Sequence, residues 1–62
     1  MTEKELLYLE DAVEHEKSII AICSDLEMKV SDEFKDYFNN QIESHNVLLD
    51  NLMSLIKEKA NE

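Results

Sequence analysis

Apolar residues recur at intervals of three and four along this chain, in two stretches that meet near Val30 and Ser31. In the first, Leu9, Ala12, Val13, Ile19, Ile20 and Cys23 share one helical face, with Glu16 in its middle. In the second, Phe34, Phe38, Ile42, Leu48, Leu49, Leu52 and Ile56 share a face with Gln41, and His45 stands in its middle. This spacing predicts two amphipathic helices, over about residues 3–29 and 32–59. Each would be about 40 Å long at a rise of 1.5 Å per residue.

The ends of both stretches carry helix signals. Thr2 followed by Glu5 matches a capping box, and Glu3 and Glu5 complement the positive end of the helix dipole. Lys29 falls near the negative end of the first helix. Ser31 or Asp32 is a good N-cap for the second, Asp32 and Glu33 fall in its first turn, and Lys57 and Lys59 in its last.

One continuous helix is the competing reading, because Lys29-Val30-Ser31 has no Gly for a left-handed C-cap. Two features favour a hairpin. The charges that complement a dipole occur twice, in the same order. The heptad also slips: Leu9, Glu16, Cys23 and Val30 would continue to Tyr37 and Ser44, yet the second stripe centres on Phe38, His45 and Leu52. In a hairpin turning at Val30 and Ser31, residues whose numbers sum to about 61 lie opposite each other. Glu16 and His45 satisfy that sum.

Leu6, Leu7, Tyr8, Leu26, Met53 and Leu55 widen the apolar surface beyond one seam. Two helices cannot cover it, and 62 residues make one small domain of marginal stability on its own. The expected architecture is therefore all-α: a single domain over residues 1–62, an antiparallel two-helix hairpin dimerising into a four-helix bundle. The absence of Gly and Pro weighs against turn-rich β folds.

Charge and cysteine content narrow the function classes. Fifteen acids against six lysines give a net charge of −9, which argues against nucleic acid and anionic membranes as partners. A solvated acidic exterior is the plain reading, with attraction of cations the sharper one. The lone Cys23 cannot form an intrachain disulfide, and its place on the apolar face suggests a small buried hydrophobe rather than a reactive thiol. Met1 to Glu5 is acidic with no apolar segment behind it, and no run approaches a membrane span, so the expectation is cytoplasmic synthesis.

Glu16 and His45 are the candidate metal ligands. Bundle metal sites use a carboxylate from each of two helices and Glu-x-x-His from each of the others. Here Ile42 stands three residues before His45, Gln41 four before it, and Glu43 points about 160° away, so that motif is broken. Two Glu16–His45 pairs in a dimer would still supply four ligands for a divalent transition metal if both sit near the twofold axis. The alternative is a hydrogen-bonded structural pair, joined or not by Gln41, that fixes helix register. Glu14-His15-Glu16 resembles a ligand cluster in print only, because consecutive helical residues diverge by 100° and His15 falls on the helix flank. Tyr8, Phe34, Tyr37 and Phe38 have core or rim spacing, and no basic residues interleave them as a nucleic-acid platform would need. No phosphate loop, nucleophile elbow or cysteine pair for zinc is present, and no catalytic residue is assigned.

Leu6–Ile22 reads LLYLEDAVEHEKSIIAI, and Ser31–Ile56 reads SDEFKDYFNNQIESHNVLLDNLMSLI. The acidic opening, the EHEK centre, the polar turn and the following E-F-K…H…LL pattern resemble the spore coat protein F-like group of clostridia and bacilli, short proteins with a ferritin-like helical pair. The resemblance covers nearly the whole chain. It implies a non-enzymatic structural or assembly protein associated with the spore coat, with other coat proteins as partners beside a homodimer or higher oligomer. The wider ferritin-like superfamily would place a metal-binding Glu at Glu16 and His at His45, which makes a minimal metal-binding dimer the second reading. An acidic adaptor for another helical protein is the third.

Overall fold

A computed structural model describes residues 1–60 of the chain. Helix α1 spans Glu3–Lys29 and helix α2 spans Asp32–Ala60, and the two pack antiparallel along their length. The hairpin is the observed form. α1 opens with the capping box: the Glu5 amide donates to Thr2 Oγ1 at 3.1 Å, and the Thr2 amide donates to Glu5 Oε1 at 2.9 Å.

The turn is made without glycine. Val30 is extended (φ −90°, ψ 162°), its amide still donating to the Leu26 carbonyl at 3.1 Å, and no described residue has a positive φ. The last carbonyls of a helix need other donors, and α2 supplies one: Lys35 Nζ donates to the Glu27 carbonyl at 3.0 Å. With its amide nitrogen turned toward Glu27, Asn39 donates to both carboxylate oxygens at 3.1 and 3.0 Å. The Ser31 carbonyl accepts from the Phe34 amide at 3.0 Å as α2 begins. The Lys35 and Asn39 bonds tie the first turns of α2 to the last turn of α1.

The face each helix turns toward the other follows one rule. On α1 it carries Leu6, Leu9, Val13, Glu16, Ile20, Cys23, Glu27 and Val30; on α2, Lys35, Phe38, Ile42, His45, Leu49, Leu52, Ile56 and Lys59. Both series step alternately by three and four, a mean period of 3.5 that keeps a straight seam between gently supercoiled helices. Leu6 therefore belongs to the seam rather than beside it. Phe34 and Leu48 do not belong, and are 52% and 47% exposed. Each precedes a seam position by one residue and so points about 100° away from it. Cys23 is half-buried with a free thiol rather than enclosed.

A second stripe flanks the seam on one side. On α1 it runs through Tyr8, Ala12, His15, Ile19, Ile22 and Leu26; on α2 through Phe34, Tyr37, Gln41, Ser44, Leu48, Asn51 and Leu55. In an antiparallel pair, positions on the same flank of each helix share one side of the hairpin. Accordingly Tyr8 and Leu55 line one groove with Leu9, Glu5 and Lys59, whereas Glu10, Glu14, Met53 and Lys57 line another with Val13 and Ile56. One broad side is the more apolar along its middle, and the other carries Glu10, Glu14 and Lys57 beside exposed Met53.

Two helices side by side make a slab of 47 × 15 × 10 Å. Its radius of gyration is 14.4 Å, against about 10.6 Å for a compact domain of this length. It exposes 4805 Å², roughly 600 Å² more than the ~4,200 Å² expected of a compact monomer of this mass. Among the described residues only Val13, at 9% exposure, is buried.

Candidate functional site

The centre of the seam holds a polar pair. Glu16 stands midway along α1 and His45 midway along α2, each flanked a turn away by aliphatic seam residues: Val13 and Ile20 around Glu16, Ile42 and Leu49 around His45. His45 Nδ1 donates to Glu16 Oε2 at 2.5 Å, with side chains only 23% and 18% exposed. A ring N–H on a carboxylate in a part-dry seam is a charge-assisted type of hydrogen bond, short and directional. No other described side chain joins it: Gln41 is half-buried beside His45 but makes no bond to either partner.

This geometry specifies register. Sliding one helix past the other by a turn would oppose Glu16 and His45 to aliphatic neighbours, leaving two partly buried polar groups without partners. Each unsatisfied group costs about 1–3 kcal/mol, so the pair penalises slippage more than it rewards pairing.

The same pair sets the terms for a metal. Among the described residues no group of three or more His, Cys, Asp or Glu is gathered where one ion could be held. Glu16 and His45 come together as expected, but as two donors that face each other. A transition metal taking four ligands would need a second chain to complete the set. Glu16 would then either ligate directly or hold His45 through Nδ1 and leave Nε2 for the ion, the usual role of a carboxylate behind a ligating histidine.

His15 lies elsewhere. Its Nδ1 donates to the Asp11 carbonyl one turn back at 2.8 Å, with the Asp11 carboxylate 3.5 Å away, and both side chains are 71% exposed. Glu14, His15 and Glu16 thus point in three directions.

Comparison with protein-family models, with curated proteins and with solved structures finds no match. None of the described helices is long and apolar enough to cross a membrane.

The clasp of Lys35 and Asn39 on Glu27 was not anticipated from the sequence. Its signal was present, because Glu27 falls on the seam three residues before the turn, where both its carboxylate and its end-of-helix carbonyl need donors from the opposite helix.

Proposed function

We propose that this chain is a non-enzymatic structural module that acts by self-association, two hairpins closing into a four-helix bundle. The observation that carries the reading is the unfinished core: among the described residues a single buried one, Val13, beneath a broad apolar side. A folded monomer with so little enclosed surface lacks the hydrophobic burial that offsets chain entropy. The resemblance to spore coat protein F-like proteins supplies a setting, in which such modules are made in the cytoplasm and added with other proteins to a coat layer. The charged side, facing outward from the bundle, keeps it soluble and presents acidic groups to cationic neighbours.

A metal-binding dimer is the second reading, favoured by the Glu16–His45 contact itself. The two separate cleanly. Unfolding midpoints of untagged protein that rise with protein concentration mark self-association. Elemental analysis of the same sample, free of zinc and iron, marks the structural form, whereas about one metal ion per two chains marks the other.

A further inference from the structure

We propose that the apolar side of the hairpin, flanked by Tyr8, Ile22 and Leu26 on α1 and by Phe34, Tyr37 and Leu55 on α2, is covered by the same side of a second copy, with both turns at one end. This rests on the self-association reading and adds which face is used and how the two copies are registered.

Three observations name a second copy as the occupant. The first is area. The slab exposes roughly 600 Å² more than a compact monomer would, close to the ~800 Å² that each partner gives up in a standard interface. A second slab 10 Å thick laid on the first completes a bundle of ordinary thickness. The second is charge. A molecule of net charge −9 meets its own copy only where acids are missing. Between Tyr8 and Leu26, and between Phe34 and Leu55, the flanking stripe carries no Asp or Glu at all. The other side carries Glu10 and Glu14.

The third is self-complementarity. The stripe is apolar at both ends, with Tyr8 and Leu55 at one and Leu26 and Phe34 at the other. Three of its polar members, His15, Gln41 and Ser44, lie together in the middle, and the fourth, Asn51, stands between Leu48 and Leu55. A twofold axis brings apolar ends onto apolar ends and the polar band onto itself.

His15 fixes the direction of that axis. A carbonyl only accepts, so the bond to the Asp11 carbonyl puts the ring hydrogen on Nδ1 and leaves Nε2 of the neutral ring an acceptor. An axis across the helices would set His15 against the His15 of a second copy, acceptor against acceptor. An axis along the bundle sets α1 on the α2 of the other copy, and brings His15 to the height of Ser44 and Gln41, both of which can donate. That arrangement satisfies the polar band and puts turn beside turn.

The experiment has two parts, both on the full chain. Ile22→Glu places an acid in the apolar side, and Met28→Glu places one at a 75%-exposed position away from it. In sedimentation equilibrium, Ile22→Glu is expected to raise the dimer dissociation constant at least about 100-fold and Met28→Glu to change it less than about 3-fold. For register, with Cys23→Ala as background, an oxidised equal mixture of His15→Cys and Ser44→Cys chains is expected to give the mixed disulfide dimer by mass spectrometry, and His15→Cys alone to give little. This part does not depend on Ile22→Glu folding. A dimer broken by Met28→Glu but not by Ile22→Glu, or one linked efficiently through His15→Cys alone, overturns this proposal and leaves self-association standing. A wild-type chain that remains monomeric at 0.1 mM (order of magnitude, well above the dissociation constants of stable dimers) overturns both.

Discussion

Glu16 and His45, 29 residues apart in sequence, share a 2.5 Å hydrogen bond at the midpoint of the interhelical seam. Their meeting locates every other layer of the hairpin. If the pair specifies register, removing one partner should hurt more than removing both. His45→Leu strands the Glu16 carboxyl and should cost about 1–3 kcal/mol. Adding Glu16→Leu should recover most of that loss, as apolar replacement of buried ion pairs often does. Urea titration of the three variants measures both steps, and a double variant less stable than either single one would contradict the assignment.

Metal addition tests the same pair chemically. In the structural form, zinc at tenfold excess should leave the melting temperature within about 1 °C, since a ligand stabilises only in proportion to its affinity for the folded state. A rise of several degrees that His45→Ala abolishes would instead establish the metal-binding dimer.

Leu48 separates a hairpin from a bundle. At 47% exposure in the single chain it resembles a surface residue, for which substitution shifts stability by no more than about 0.5 kcal/mol. In the closed bundle it is covered, and Leu48→Ala should cost about 2 kcal/mol or more, approaching the 2–5 kcal/mol range of core leucines such as Leu52. Equilibrium denaturation of Leu48→Ala beside Leu52→Ala makes the comparison within one experiment.

Glu5 provides the pH dependence. Bonds to the Thr2 amide and, after it, the Thr2 hydroxyl hold its carboxyl below the usual glutamate range. The folded value being the lower one, the stabilisation is present above the unfolded value of about 4.3 and is lost as pH falls through the folded value. Amide exchange in the first turn of α1 should therefore accelerate on acidification below about pH 4.3, and Glu5→Gln should flatten that response. An unchanged profile in Glu5→Gln would remove the capping box as its source.

Much of this molecule can be read from residue spacing. The helix bounds, the capping box and the Glu16–His45 contact all follow from a 3.5-residue period and one turn. Leu48 and Phe34 were harder, because each sits next to a seam position. A list of apolar residues on a broad arc does not say which of two neighbours faces the partner helix. The side chains in place settle it through the unbroken alternation of three and four. The turn was illegible for a different reason. Its cap comes from Lys35 and Asn39, whose roles depend on helix α2 already lying against Glu27, and no local signal stands in for that packing.

On the proposed function, this hairpin finishes its core with a second copy of itself. The most direct measurement is the mass of the untagged chain by sedimentation equilibrium across a dilution series from high to low micromolar. Twice the 7.3 kDa chain mass is expected at the upper end, with helical circular dichroism lost in step with dissociation on dilution. A chain that stays at 7.3 kDa throughout, helical and unfolding cooperatively at a concentration-independent midpoint, would contradict it.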